Sequence, residues 1–350
     1  MNPIRRHLLL AFALSVLGSR LALAAEPAPS PAAPPVARLA GWSAWKQTFI
    51  QPPGRVVDPG QGGISTSESQ GFGLLLAASG DDRATFDALW TWTRNNLGVR
   101  DDGLFAWRWQ PATGVTDRND AADGDLLIAW ALARAGQRFG DAAYTEAARR
   151  IAQAIRAHLL VPTAWGVVLM PALQGFDTAK GRVVNLSYWV FPAFAALDRI
   201  DPSPQWKAVT DAGLRLLQIA RFGRWALPPD WLLLVDPLVP DPGRPQRYGY
   251  EAVRIPLYLY WAHLGTPELL APFLEFWGSF QCKDYLPAWV NLNDDSIDSF
   301  GAPPGMRAIR TLAGTAKAPA DASPPIARQD YYSATLGLLV ELAREEGGRP

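Results

Sequence analysis

Cysteine is nearly absent from this chain, with one, Cys282, in 350 residues. A single thiol excludes an intramolecular disulfide framework and any thiolate metal cluster. Histidine is almost as scarce, with three residues scattered along the sequence, too few and too dispersed to build a metal centre. An excess of charge is missing as well, because 33 basic side chains balance 33 acidic ones. A nucleic-acid binder needs an electropositive face, so nucleic acid is not expected as a partner, and a polyanion is a poor fit as substrate. No metal or cofactor is expected, which leaves the chemistry to carboxylates, hydroxyls and aromatic rings. What the chain has in abundance is tryptophan: fifteen, more than its Tyr, Phe or Met taken individually. With 49% hydrophobic residues it can also bury a large core.

Residues 1–24 have the pattern of a signal peptide for export. Arg5 and Arg6 precede an apolar stretch from Leu8 to Leu17, and Ala22-Leu23-Ala24 forms a small-x-small cleavage site. Ser19 and Arg20 interrupt the apolar run well short of the roughly 20 residues a membrane span needs, so no stable membrane insertion is expected after cleavage. Arg5-Arg6 leaves both the general and the twin-arginine export routes open. Residues 25–40, rich in Ala and Pro, are expected to be a linker, and 41–350 a single domain. The mature protein is therefore expected to be periplasmic or secreted, a compartment that suits a lone cysteine.

The body of the chain carries helical periodicity. Phe86, Leu89, Trp90 and Thr93 fall at i, i+3, i+4 and i+7, which predicts a helix over 82–96 with Asp81 or Asp82 as its cap. Tyr144, Ala147, Ile151, Ala154, Ile155 and Leu159 repeat the pattern, and the run 125–135 is apolar enough for a fully buried helix. Further helices are predicted over 188–197, 205–220, 252–264, 267–280 and 331–344, while alternating strand patterns are scarce. Eleven or twelve helices without a composition shift predict an all-α domain. A closed ring of paired helices is the most economical arrangement, although periodicity alone also permits an open α-solenoid.

Three separated motifs carry carboxylates. In Ser67 to Gly73, SESQGFG, Glu68 enters an apolar helix, where desolvation would raise its pKa and suit a general acid. The alternative is a glutamate placed only to complement the helix dipole. In Ala121 to Ala135, Asp123 and Asp125 head the most hydrophobic helix, and capping is the ordinary role for one aspartate there. In Tyr248 to Trp261, Glu251 and Arg254 lie three apart, close enough on a helix to form a structural salt bridge. Around these motifs stand aromatics assigned to loops: Trp107, Trp109, Trp165, Trp189, Trp231 and Trp289. Rings of this kind stack on the apolar faces of pyranose units, while about half of the fifteen tryptophans are expected in the core.

SESQGFG, then AADGD before an apolar helix, then YEAVR, in this order, resemble glycoside hydrolase family 8, in particular its periplasmic endoglucanases encoded with bacterial cellulose synthase. The resemblance runs from about Trp42 to Glu345 and includes NLSYWVFPAF from Asn185, PPDW ending at Trp231, and DYYSATLGLL from Asp330. It implies an (α/α)6 barrel of about twelve helices with a cleft formed by loops at one end, and inverting attack on a β-1,4-glucan chain. By the same resemblance Glu68 is the general acid, Asp123 holds and distorts the sugar at the cleavage point, and Glu251 is the general base. Trp107 or Trp109, Asn185, Tyr188, Trp231, Tyr250, Arg254 and Tyr332 fall at positions expected to bind the glucan. A cellulose synthase complex is implied as a possible partner.

Some positions depart from the family pattern. Glu251 stands where aspartate is usual, which extends the carboxylate by about 1.5 Å; Asp236 or Asp241 offers a loop carboxylate in its place. Ser69 replaces a usual glycine, Phe72 a tyrosine and Ala122 a serine or threonine. The leading expectation is an endo-β-1,4-glucanase acting on cellulose-like glucan. Mixed-linkage glucan, xylan and chitosan are alternative substrates, and a glucan-binding protein with weak or lost hydrolysis is the alternative of another class.

Overall fold

The computed structural model describes residues 39–280, 285–314 and 324–347. The expected signal peptide, nearly all of the linker and Cys282 lie outside the described residues. Eleven α-helices run through the rest: α1 (Trp42–Phe49), α2 (Ser67–Ser79), α3 (Arg83–Asn96), α4 (Ala122–Phe139), α5 (Ala142–His158), α6 (Phe191–Ile200), α7 (Pro204–Ile219), α8 (Ile255–Trp261), α9 (Pro267–Gly278), α10 (Pro304–Ala313) and α11 (Tyr331–Gly347). Among the described residues no helix is long and apolar enough to cross a membrane.

Local chemistry explains where these helices start. Asp82 caps α3, its side chain accepting from Thr85 N at 3.1 Å. Along α3 the buried residues are Phe86, Leu89, Trp92 and Thr93, with Trp90 only half-buried. Thr66 and Ser69 form a reciprocal capping box on α2, at 3.0 and 2.9 Å, so the serine found where glycine is usual closes the helix start. In α4 every residue from Ala122 to Gly136 is buried, because α2, α5 and α6 pack around it.

The inner helices form a ring of six: α2 packs on α4, α4 on α6, α6 on α8, α8 on α10, α10 on α11, and α11 back on α2. That closure removes the open solenoid. Outside it, α3 lies on α2, α5 on α4 and α6, α7 on α6, α9 on α10, and α1 on α11. The fold is an (α/α)6 barrel. Close approach of α2 and α4 depends on glycine at 124, where an added Cβ would meet Ser67 Oγ at 2.1 Å and Glu68 N at 2.8 Å. Backbone contact at this point sets Glu68 and Asp123 side by side.

The strands are two to four residues long and decorate one end of the ring. Residues 65–66 pair with 108–109, placing Trp109 opposite Ser65, and 247–248 pair with 290–291. A four-stranded antiparallel sheet orders 239–240, 232–234, 181–184 and 177–178. Its Val184–Leu232 register brings Asn185 beside Trp231.

Candidate active site

The starts of the inner helices converge on one cluster. Glu68 and Asp123 sit in the first turns of α2 and α4, the 3-10 turn Leu186–Tyr188 precedes α6, Arg254 immediately precedes α8, and Tyr332 is in the first turn of α11. Helix N-termini present partial positive charge, a setting that tolerates several carboxylates together.

Arg254 is the hub of that cluster and is only 2% exposed. Its Nη1 donates to Glu68 Oε1 and, at 3.3 Å, to Asp123 Oδ2. Its Nη2 donates to Glu251 Oε2 at 2.7 Å and to Ser187 Oγ at 3.0 Å. Asn185 Nδ2 donates to the same Glu251 oxygen at 3.2 Å, while its Oδ1 accepts from Ser187 Oγ at 2.7 Å. Glu251 and Arg254 do pair across three residues, but from the 3-10 turn Ala252–Arg254 and its cap rather than from one face of the helix predicted over 252–264. In a 3-10 turn i and i+3 eclipse, which points both side chains into the ring. Since Glu68 and Glu251 grip the two amino groups of one planar guanidinium, their bonded oxygens are at most about 8 Å apart.

Three carboxyls around one cation cannot all ionise cheaply. Burial pushes Asp123 up to about 7. It pushes Glu251 up to about 8, with the charges of Asp230 and Asp123 adding to the rise and the Asn185 hydrogen bond opposing it. At neutral pH Asp123 and Glu251 are therefore not both ionised. Burial, expected at Glu68, is deeper at Asp123, whose side chain is 3% exposed against 25% for Glu68.

A cavity of about 540 Å³ opens over Glu68, Glu251 and Arg254, with Tyr250, Tyr332 and Phe300 among its lining residues. The Tyr332 hydroxyl donates to Tyr250 O at 2.6 Å, fixing one wall. On the opposite side Tyr188 lies under Arg254, 5.7 Å from the guanidinium, and meets Trp231 edge-on at 5.8 Å. Trp231 stacks on Phe176 at 5.4 Å, and Arg244 covers both rings. Trp107 and Trp109 stand beside the start of α2 without lining this cavity: Trp107 Nε1 donates to Asp117 at 2.8 Å, and Trp109 packs between Trp92 and Arg55.

Other expectations are corrected. Asp123 is not the helix cap, since Ala121 occupies that position; its Oδ1 accepts from the neighbouring amide of Gly124, at 2.9 Å. Asp125 faces away from Arg254 and accepts from Phe105 N at 2.9 Å. Asp241 is engaged by Arg244 and by Gly243 N, and neither it nor Asp236 is among the residues lining the cavity. Trp189 is core rather than loop, 1% exposed with Nε1 on Val209 O at 2.9 Å. Ser187, Phe176, Arg244 and Phe300 join the site without having been singled out. Phe300, 66% exposed at the cavity rim, carries no sequence signal beyond an aromatic in a Gly/Pro loop.

Comparison with known proteins agrees with this geometry. The model for glycosyl hydrolases family 8 matches residues 13–346. A probable endoglucanase of Novacetimonas hansenii is 42% identical over 316 residues, covering 87% of this chain and 90% of its own. An endoglucanase of Cellulomonas uda is 34% identical over 275 residues, 77% of this chain and 76% of its own. The structure of an endo-β-1,4-glucanase from Acetobacter xylinum superposes with a TM-score of 0.84 at 41% identity, over 90% of this chain and 99% of that one. Because the family match spans nearly the whole sequence and the helices close into the family's barrel, the chain belongs to glycosyl hydrolase family 8.

Proposed function

We propose that this hydrolase is an exported endo-β-1,4-glucanase that cleaves with inversion, using Glu68 as acid and Glu251 as base. The observation that carries the reading is one buried guanidinium, Arg254, holding both carboxyls at a common cavity. An inverting enzyme needs its two carboxyls roughly 6.5–9.5 Å apart, with a water between base and sugar, and the bound set by the shared guanidinium admits that spacing. In the reaction Glu68 gives its proton to the glycosidic oxygen as the C1–O bond breaks. Glu251 takes a proton from the water that attacks C1 on the opposite face. Asp123, beside both, holds the sugar ring at the point of cleavage. Arg254 keeps Glu251 oriented, and Asn185 holds the same oxygen, so the longer side chain is anchored at its tip. Tyr188, Trp231, Tyr250 and Tyr332 supply the apolar walls on which a neutral glucan stacks.

The test is release of reducing ends from carboxymethylcellulose and soluble cello-oligosaccharides by purified mature protein, with Glu68→Gln as control. Turnover by the wild type, with loss of turnover but retained oligosaccharide binding in the variant, is expected. Binding without turnover in the wild type would select a glucan-binding protein instead, and faster release from xylan, mixed-linkage glucan or chitosan would reassign the substrate. Residues 1–24 support export with cleavage before Ala25, leaving a linker to residue 40 and a catalytic domain over 41–350; N-terminal sequencing of protein from the periplasm or medium checks this. The likeness to endoglucanases encoded with cellulose synthase supports a place beside cellulose synthesis.

A further inference from the structure

We infer that Asp230 is a positioning residue for Glu251: it staples the turn that carries the base from both sides and, through its charge, sets the pH range in which that base works. This rests on the reading of Glu251 as the base.

Asp230 is 2% exposed and lies outside the cavity lining. Its Oδ1 accepts from Gly249 N at 2.9 Å and from Ala252 N at 3.0 Å, and its Oδ2 accepts from Arg247 Nε at 3.1 Å. The two amides bracket Tyr250 and Glu251, so one carboxylate closes the loop across the base. Burial raises the Asp230 carboxyl above its ordinary value, while the three donors converging on its two oxygens and the charge of Arg247 oppose that rise and favour the ionised form. The loop is tightly seated, since a Cβ on Gly249 would meet Trp289 Cβ at 2.9 Å. The neighbouring Trp231 belongs to the glucan-facing wall, so the PPDW motif ties that wall to the base.

The groups around Glu251 define what the Asp230 charge does. Arg254 and Asn185 touch it directly. Asp123 and Glu68 lie across the same guanidinium, and the hydroxyls of Tyr188, Tyr258 and Tyr332 face it. Behind it stand Asp230 and its partner Arg247, of opposite sign. A like charge disfavours ionisation of Glu251 and an opposite charge favours it, and both effects act on this carboxyl, Asp230 ranking next after burial. Removing either member of the pair should therefore move the base in opposite directions, which a purely structural contact would not do.

The test is the pH dependence of kcat/KM on a soluble cello-oligosaccharide for full-length Asp230→Asn and Arg247→Met. Asp230→Asn keeps an acceptor for the two amides and removes the charge, so the ascending limb is expected to move down by about one pH unit. Arg247→Met is expected to move it up, by less, because the Arg247 charge acts on Glu251 more weakly than that of Asp230. Asp230→Ala, which removes the staple, should lower kcat at least tenfold with KM little changed. Limbs unmoved in both charge variants would overturn the inference. Should Asp230→Asn fail to fold, the half-exposed Arg247 variant decides alone. Glu251→Gln separates the levels: full activity there sinks the base assignment itself, whereas an inactive Glu251→Gln with unmoved limbs sinks only the role of Asp230.

Discussion

Replacing Arg254 by methionine perturbs the whole cluster at once. The substitution removes the partner of Glu68, of Asp123 at 3.3 Å, of Glu251 at 2.7 Å and of Ser187 at 3.0 Å, and leaves three carboxyls without a cation. Breaking a buried ion pair from one side costs about 3–5 kcal/mol, but carboxyls can escape part of that penalty by taking up protons. Asp123 and Glu251 already have folded-state pKa values raised above the unfolded ones, to about 7 and about 8. For an acid shifted upward the fold binds more protons than the unfolded chain, so stability is greatest at low pH and falls as pH rises from about 4 through those values. Loss of Arg254 steepens that fall. Urea unfolding followed by tryptophan fluorescence should show a loss of about 3–5 kcal/mol at pH 8 and a clearly smaller one at pH 5. Turnover should drop by about 10²–10³-fold as a preorganised donor is lost. An equal penalty at both pH values, or a variant as stable as wild type at pH 8, would refute the claim that Arg254 is the shared counter-ion.

Two further outcomes follow from the same geometry. Gly124→Ala forces a Cβ against Ser67 Oγ and Glu68 N, so it should cost about 1–3 kcal/mol by overpacking and reduce kcat because it displaces the acid; an unchanged melting temperature would show that α2 and α4 have slack. For the wild type, the base must be ionised, and its carboxyl is raised to about 8; the ascending limb of kcat/KM should accordingly lie near neutral pH rather than near pH 4, as measured on soluble oligosaccharides.

Most of the helices were legible in the sequence because they bury one stripe or their whole surface, whereas α1 and α10 were given no span. The run from Asp125 to Ala135 is the clearest, since its apolarity directly reflects its place inside the ring. Glu68, Asp123 and Glu251 were legible through motif order. Arg254 as hub was not, because a spacing of three suggests only a local pair, whereas its bonds to Glu68 and Asp123 span 186 and 131 residues. The short strands escaped because two to four residues are too few to display a period of two. Trp189 was misplaced because a ring beside a loop motif and a ring packed under it look alike in sequence; nine of the fifteen tryptophans are buried, and only contact to the ring's N–H separates the two cases. Asp230 lay within a motif noted for its tryptophan, and its tie to Gly249 and Ala252 became visible only once the chain folded back.

The pairing of Glu68 as acid with Glu251 as water-activating base fixes the stereochemistry of the product. Proton NMR of cello-oligosaccharide hydrolysis, recorded before mutarotation, reads the configuration of the first reducing end formed. The α-anomer is expected from a β-1,4 linkage; a first-formed β-anomer would mean retention through a covalent intermediate and would contradict the pairing of Glu68 as acid with Glu251 as base.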